Sequence, residues 1–415
     1  MLIRKSFRYR VYPTEEQIAR VAQWEGALRF LWNLALEQRL MGYSRPKDER
    51  IFPTAFDQQE ELTDLRKELP WLADVPRNVS NQLLVELDEA WQRCFKKLCK
   101  RPRFKRRGRD FLGLTEPHTK YWHLEGSILR FPKLGNLRSV VHRPLEGKPK
   151  TCTLKRDVDQ WFVSISCEVE IKDPTPKTEP VVALDRGVVN ILADSEGNIV
   201  KSPRFFAVAQ KKLARAQRQT SRKKKGSKNK EKAQLRVAKI HRKIRRQREW
   251  FIHQLSHKYS KSHGTVVIER LKIKNMTASA HGTLENPGSN VRQKSGLNRG
   301  ILDSGWGILA YQLGYKILWE GGRLVEEAPH YSSQECYACG LIDSRNRPDQ
   351  ATFSCIGCGV VEHADVNAAK VLDKRFKNRG KPSVQPVKGS CRLRTPRRNR
   401  KVTQPSKAQS QSSTL

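Results

Sequence analysis

Long apolar runs, a secretory leader and an excess of acids are all absent from this sequence. No stretch of 18 apolar residues exists, which argues against a membrane-spanning helix. The first ten residues, MLIRKSFRYR, contain no apolar core of a signal peptide, so we expect a location in the reducing cytoplasm. Only 42 Asp and Glu stand against 81 Lys and Arg, and the net charge is +39.

A net charge of this size repels itself unless a polyanion neutralises it, so nucleic acid is the expected partner. An anionic membrane surface is the alternative. The basic segments lack the wide apolar face of a membrane-surface helix, however, and we predict no membrane partner. The chain is long enough for roughly two to four domains. Its hydrophobic content, 37% of 415 residues, excludes a disordered protein.

Four of the nine cysteines occur as two CxxC pairs separated by 15 residues. They are Cys336, Cys339, Cys355 and Cys358. Two such pairs can place four thiolates tetrahedrally around one Zn²⁺. Gly340 and Gly359 follow the pairs, where a turn often needs positive φ. Two disulfides or unpaired core thiols are the alternative, which a reducing compartment disfavours. We predict a zinc ribbon over 331–360 that holds one structural Zn²⁺.

The N-terminal part predicts one strand and two amphipathic helices. Basic and apolar residues alternate over 1–12, and a capping box at Thr14 begins a helix. A second helix is expected behind Ser80 as its N-cap. Trp24 and Trp91 lie on the apolar faces of these helices. We interpret both as core residues, with base stacking as the alternative.

Three segments are strongly basic. Residues 100–109 carry seven cations around Phe104, which suits contact with a nucleic-acid backbone, although a solvated face is the alternative. Residues 211–248 contain 18 Lys or Arg and predict a long basic helix pair. Residues 379–415 have no acids and many Ser and Gln, which predicts a disordered basic tail. The Gly- and Asn-rich stretch 277–300 predicts a mobile loop.

Three acids stand at distinctive positions. Asp185 and Glu269 each end an apolar run that predicts a buried strand, and Asp365 begins a predicted helix just after the CxxC pairs. Three carboxylates brought together bind divalent cations through oxygen, and two Mg²⁺ ions can activate water and stabilise the leaving oxygen of a phosphodiester. Taken singly, Asp365 could be a helix N-terminal acid and Glu269 an exposed strand end. The order of strands and helices around these acids matches the RNase H-like plan.

The residues around these acids resemble the motifs of the TnpB proteins, which transposable elements encode and which are relatives of the type V CRISPR effectors. The matching motifs are Leu184-Asp-Arg-Gly187, Val267-Ile-Glu-Arg-Leu271, Ser333-Gln-Glu-Cys336-Tyr-Ala-Cys-Gly340 and His363-Ala-Asp-Val-Asn-Ala-Ala369. They correspond to the family's three RuvC motifs and its zinc ribbon, and the resemblance covers residues 178–375. The N-terminal half matches more weakly, through Arg29-Phe-Leu-Trp-Asn33.

The resemblance implies an α/β multidomain fold in which an RNase H-like (RuvC) nuclease domain receives the zinc ribbon as an insert. A wedge-type β-barrel, interrupted by a helical recognition lobe, would precede it. The implied ranges are 1–12 and 112–174 for the barrel, 13–111 for the lobe, and 178–330 and 361–378 for the nuclease domain.

The implied activity is RNA-guided, Mg²⁺-dependent cleavage of DNA. The resemblance assigns catalysis and the binding of Mg²⁺, two ions by this expectation, to Asp185, Glu269 and Asp365. It makes a guide RNA from the transposon end and target double-stranded DNA the partners. Two alternatives are a noncatalytic RNA-bound regulator that binds DNA, and a DNA transposase. The intact acids favour the nuclease over the regulator, and the position of the ribbon between the second and third acids disfavours the transposase.

Overall fold

The computed structural model describes residues 1–46, 48–108, 110 and 112–378, and it shows a mixed α/β fold, as the sequence predicts. The predicted tail over 379–415 lies outside the described residues. In the described part of the chain, no helix is long and apolar enough to cross a membrane.

The strands are β1 (Leu2–Tyr12), β2 (Leu114–Glu116), β3 (His123–Glu125), β4 (Ile128–Phe131), β5 (Gly135–Val140), β6 (Lys148–Asp157), β7 (Gln160–Glu170), β8 (Val181–Asp185), β9 (Asn190–Asp194), β10 (Ile199–Lys201), β11 (Thr265–Glu269), β12 (Arg323–Glu327), β13 (Thr352–Ser354) and β14 (Val361–His363). The helices are α1 (Glu15–Ser44), α2 (Ala55–Glu68), α3 (Pro70–Ala73), α4 (Arg77–Phe95), α5 (Phe205–Ser221), α6 (Lys228–Ser262), α7 (Ile273–Met276), α8 (Val291–Ser304), α9 (Trp306–Trp319) and α10 (Ala364–Lys377).

A seven-stranded antiparallel sheet has the order β2-β6-β7-β1-β5-β4-β3, with the first strand of the chain near its centre. β1 pairs with β7 from Leu2 to Val11 and then with β5 from Arg10 to Tyr12. The predicted alternation along β1 is confirmed, because Ile3, Phe7 and Tyr9 are buried while their neighbours face outward.

The helices α1 to α4 lie between β1 and β2 in the chain. α1 begins with the predicted capping box, in which the Thr14 hydroxyl accepts from the Gln17 backbone N–H. The predicted N-cap at Ser80 is wrong, since α4 begins at Arg77 after a proline and the buried Ser80 hydroxyl accepts from a guanidinium instead. The interpretation of Trp24 and Trp91 as core residues is confirmed, since both are buried.

A second sheet has the order β10-β9-β8-β11-β12. β8, β11 and β12 run parallel, whereas β9 and β10 are antiparallel to their neighbours. Helices α6 and α9 pack on one face of this sheet, where Val182 and Val266 point, and α10 packs on the other, where Ala183 and Val267 point. Burial on both faces explains the unbroken apolar runs of β8 and β11.

The basic segment 211–248 forms the predicted pair of helices, α5 and α6. The predicted loop over 277–300 is wrong for its last ten residues, because α8 begins at Val291. There the Asn298 side chain donates to the backbone oxygens of Thr277 and Ala278, which ties α8 to the preceding segment. These long-range bonds favour a helix that composition alone does not predict.

The turn between β6 and β7 joins the first sheet to α6 through ion pairs. The Asp157 carboxylate lies 2.6 Å from Nη2 of Arg245, 3.0 Å from Nη2 of Arg246 and 3.4 Å from Nη2 of Arg8. Its side chain is only 12% exposed, so water screens these pairs incompletely. The arginines hold the pKa of Asp157 below its usual range, although burial opposes them.

Replacing Asp157 by Asn should lower the free energy of unfolding by about 2 kcal/mol. The reason is that Arg8, Arg245 and Arg246 lose the partly buried carboxylate that pairs with all three. Urea unfolding followed by circular dichroism measures the change. The matched control is Asp64→Asn, which removes the ion pair between Asp64 and Lys67. The Asp64 side chain is 75% exposed, so this variant should lower the free energy of unfolding by less than about 0.5 kcal/mol. Equal losses in the two variants would contradict a stabilising role for the junction.

Candidate active site

Two of the three predicted acids meet where parallel strands end. The register places Ile268 of β11 opposite Leu184 of β8, so the next residues, Glu269 and Asp185, share one edge of the sheet. Their side chains are close enough for the charge of Glu269 to raise the pKa of Asp185. Glu269 is only 7% exposed, which places the pair in a largely dehydrated environment.

The third acid reaches the same edge from a helix. Asp365 lies in the first turn of α10, which packs against β8 and β9. Its Oδ2 accepts a hydrogen bond of 2.9 Å from Nδ2 of Asn190 at the start of β9. Gly187 permits this approach, because a Cβ there would lie 2.5 Å from the Asn190 carbonyl oxygen and 3.8 Å from Asp365 Oδ2. The structure therefore brings all three predicted acids together.

The electrostatics of this site disfavour three ionised carboxylates. Burial raises the pKa of the Asp185 carboxyl well above its usual range, and the charges of Glu269 and Asp365 raise it further. Burial also raises the pKa of Glu269, against the hydrogen bond from Ser332 that lowers it. A bound cation would relieve this repulsion, so the site fits an ion with oxygen ligands.

Three polar residues that the sequence did not single out surround the acids. Arg186 is buried and donates to the backbone oxygens of Glu269 and Trp306. The Ser332 hydroxyl donates to Oε1 of Glu269 at 2.9 Å, and Asn190 donates to Asp365 as described above. Only Arg186 had a sequence signal, its position directly after Asp185.

Arg347 approaches the acids from the segment that carries the cysteines. Its Nη2 lies 3.6 Å from Oδ1 of Asp365, and the side chain of Arg347 is 27% exposed. The guanidinium of Arg347 therefore brings a positive charge to Asp365 from a segment outside the sheet and α10. Nothing in the local sequence around Arg347 distinguishes it from the other cations of the chain.

The four predicted cysteine ligands form one cluster. The sulfur atoms of Cys336, Cys339, Cys355 and Cys358 all lie within 4.8 Å of one another. The four side chains are therefore close enough to hold one metal ion jointly. Gly340 and Gly359 have φ of +80° and +76°, as predicted for the turns after each pair.

Two buried asparagines fix the cysteine segment. Asn367 of α10 accepts from the Tyr337 backbone N–H and donates to the Glu335 carbonyl oxygen, on either side of Cys336. Within the segment, Asn346 donates to the Leu341 carbonyl oxygen near the first pair and accepts from the Ile356 N–H near the second. Because Asn367 lies two residues after Asp365, the cluster and the acids share one rigid support.

Profiles of known protein families match the regions of the chain that contain the acids and the cysteines. A family profile described as "Probable transposase" (OrfB_IS605) matches residues 164–280, which include Asp185 and Glu269. One described as "Cas12f1-like, TNB domain" matches 306–372, which include the cysteines and Asp365. One described as "Helix-turn-helix domain" matches 1–47, although the described residues there form one strand and one long helix.

Two relatives align along most of the chain. A protein of Escherichia coli (strain K12), provisionally named RNA-guided DNA endonuclease InsQ, is 36% identical over 366 residues, which cover 88% of this chain and 90% of the relative. A protein of Streptomyces pristinaespiralis with the provisional name RNA-guided DNA endonuclease is 32% identical over 374 residues, which cover 89% of this chain and 88% of that protein.

Among solved structures, a Cas12f1–sgRNA–target DNA complex matches with a TM-score of 0.49 and 14% identity, covering 89% of this chain and 98% of that chain. The sequence matches are much stronger than this structural one. Because relatives above 30% identity align with nearly all of its length, the chain belongs to the OrfB_IS605 (TnpB) family.

Proposed function

We propose that this protein is an RNA-guided, Mg²⁺-dependent DNA endonuclease encoded by a transposable element. The observation that carries the proposal is the meeting of Asp185, Glu269 and Asp365, largely buried, at one edge of a sheet. The two relatives that align along most of the chain agree with the proposal, since each carries the provisional name RNA-guided DNA endonuclease.

The second sheet supports an RNase H-like (RuvC) nuclease domain over 178–330 and 361–378. Its first strand in sequence, β8, lies in the middle, with β9 antiparallel on one side and β11 parallel on the other. In chain order, the acids stand on the first and fourth strands of this sheet, β8 and β11, and on α10, the last helix among the described residues. We assign 331–360 to an inserted zinc ribbon, 1–12 and 112–174 to a wedge domain, and 13–111 to a helical recognition lobe.

The three carboxylates suit Mg²⁺, which is bound through oxygen. When bound, the ion supplies positive charge beside the scissile phosphate and lowers the pKa of a coordinated water. The chain supplies the orientation. Ser332 and the backbone contact of Arg186 fix Glu269, while Asn190 fixes one oxygen of Asp365 and leaves the other toward Arg347.

The positive charge of the chain suits two nucleic-acid partners, a guide RNA from the transposon end and target double-stranded DNA. The helix α6 carries much of this charge along 35 residues. Several of its arginines, such as Arg245 and Arg246, are held in place by Asp157 and remain partly exposed. Arginines whose side chains are already positioned lose less entropy when they contact a phosphate.

Replacing Asp185, Glu269 or Asp365 by Ala should abolish DNA cleavage, with a loss of about a thousandfold or more, while RNA and DNA binding stay near wild type. The reason is that each variant removes an oxygen ligand but leaves the basic surfaces unchanged. The triple variant should be no worse than each single one, since the acids act as a unit. Gel assays of plasmid cleavage and filter-binding measurements check both parts.

The control is Asp64→Ala, an exposed acid of α2, which should cut normally. Near wild-type cutting by Asp185→Ala would refute the assignment of the acids. Joined rather than cut DNA ends from the wild-type protein would instead support the transposase.

The cysteine cluster should hold one structural Zn²⁺ with no open position, because four thiolates complete a tetrahedral site. Cys355→Ser should release the metal and loosen 331–360, and cleavage should fall through the lost positioning of Arg347. Elemental analysis and limited proteolysis measure the two effects. Cys99→Ser, which changes an exposed thiol outside the cluster, should keep one zinc per chain. Active wild-type protein without zinc would refute this assignment.

A further inference from the structure

A small cavity of about 110 Å³ lies in the helical lobe, between α1, α4 and the segment 51–54. Three aromatic side chains line it, Phe52, Trp91 and Phe95, and so does the guanidinium of Arg39. The cavity is distant in sequence from the acids and from the cysteine cluster, and the proposed chemistry gives it no role. Liquid water occupies about 30 Å³ per molecule, so the space suits one planar ring rather than a whole nucleotide.

The aromatic side chains that line the cavity contact one another and are only partly covered. The ring of Trp91 is 5.5 Å from that of Phe95 at an interplanar angle of 30°, and the ring of Phe52 is 5.8 Å from Phe95 at 86°. Phe52 and Phe95 are 46% and 47% exposed, whereas Trp91 is buried. Two half-exposed phenyl rings above a buried indole provide stacking surface for a flat ligand.

Two buried donors beside the cavity lack an acceptor in the part of the chain that the structure describes. Arg39 is 4% exposed, and it donates through Nε to Gln58 and through Nη1 to Asp88, at 2.9 and 2.7 Å. Its Nη2 and the Nε1 of Trp91 have no hydrogen-bond acceptor among the described residues. A buried unpaired donor is costly, so this site favours a ligand that brings acceptor atoms.

Cations gather at the mouth of the cavity although the surrounding helices are acidic. Residues 13–91 contain 15 Asp and Glu against 9 Lys and Arg, in a chain of net charge +39. Nevertheless Arg50 and Arg101 lie over the ring of Tyr43, at 4.8 and 4.4 Å from its centroid, and Tyr43 contacts Phe52 and Trp91. Arg50 comes from the otherwise acidic range, whereas Arg101 comes from the basic segment 100–109. Their convergence on Tyr43 places two cations where a phosphate next to a bound ring can contact them.

The backbone of the basic segment is fixed beside these residues. The Trp32 indole donates to the carbonyl oxygen of Arg103, and the Asn33 side chain both donates to and accepts from the backbone of Lys105. This segment therefore follows α1 in a defined path. Its cations are presented along that path rather than on a freely moving chain.

We propose that this cavity binds one unpaired nucleobase of a single-stranded nucleic acid. The base stacks on Phe52 and Phe95, its carbonyl or ring-nitrogen acceptors face Arg39 and Trp91, and the adjoining phosphates contact Arg50 and Arg101. The inference rests on the proposed function only in taking a nucleic acid as the ligand. RNA and DNA offer the same base chemistry, and the experiment separates them.

The test is photocrosslinking of the full-length protein to 15-nucleotide single strands that carry 5-iodouracil, one of RNA and one of DNA. Mass spectrometry locates the crosslinked residues. We expect a crosslink at Phe52, Phe95 or Tyr43 with at least one strand, and the strand that gives it identifies the source of the base. If both strands crosslink only to other parts of the protein, the proposal is overturned. A cavity that a protein side chain fills would give this result.

Phe95→Leu should lower the yield of the cavity crosslink about tenfold, because a stacked base contributes roughly this factor to binding. The salt dependence of binding should keep its slope, since stacking releases no counterions. The matched control is Phe56→Leu, which changes a phenylalanine that is 67% exposed on α2, outside the cavity. Thermal unfolding of both variants checks that they fold. Equal yields from the two variants would overturn the proposal.

A second variant displaces one wall instead of removing a ring. A Cβ at Gly42 of α1 would lie 2.1 Å from the carbonyl oxygen of Ile51, so Gly42→Ala must shift the segment that carries Phe52. The cavity crosslink should fall again, and an unchanged yield would count against the site. DNA cleavage by wild type is assayed in parallel. A cavity crosslink without cleavage overturns the nuclease proposal alone, whereas cleavage without the crosslink overturns only the base site.

Discussion

The repulsion between three neighbouring carboxylates, one of them buried and two partly buried, is the constraint on which the rest of this structure depends. Parallel pairing of β8 and β11 forces Asp185 and Glu269 to one edge, and α10 brings Asp365 against them. The pKa of Asp185 rises because burial and its neighbours both oppose ionisation. Such an arrangement persists only if the surrounding packing holds it, and the apolar strands and the helices on both faces provide that packing.

The cysteine segment is part of the same support rather than a separate module. Asn367 bonds the backbone on both sides of Cys336, and Asp365 lies on the same helical turn. Arg347 then reaches Asp365 from within the segment. These contacts link the backbone around Cys336 to Asp365 over a few residues.

The sequence predicted the strands that end in acids and the CxxC turns because each leaves a local pattern, an unbroken apolar run or a glycine that permits positive φ. It failed where distant residues decide the structure. Ser80 resembles an N-cap but is buried beside Arg66, and residues 291–300 resemble a loop but are fixed as a helix by Asn298. Arg347 and Asn190 reach Asp365 only through the tertiary fold, so no spacing rule could identify them.

The central place of β1 has a consequence for the synthesis of this chain. Leu2 pairs with Glu170 and Val11 with Trp161, so β1 has its main partner among residues that are synthesised much later. The helices α1 to α4 also contact one another, and these local contacts can form in the meantime. The first strand meanwhile exposes alternating apolar side chains and unpaired backbone groups. Its basic residues include Arg4, Lys5 and Arg8, and we expect their like charges to keep such unpaired strands apart.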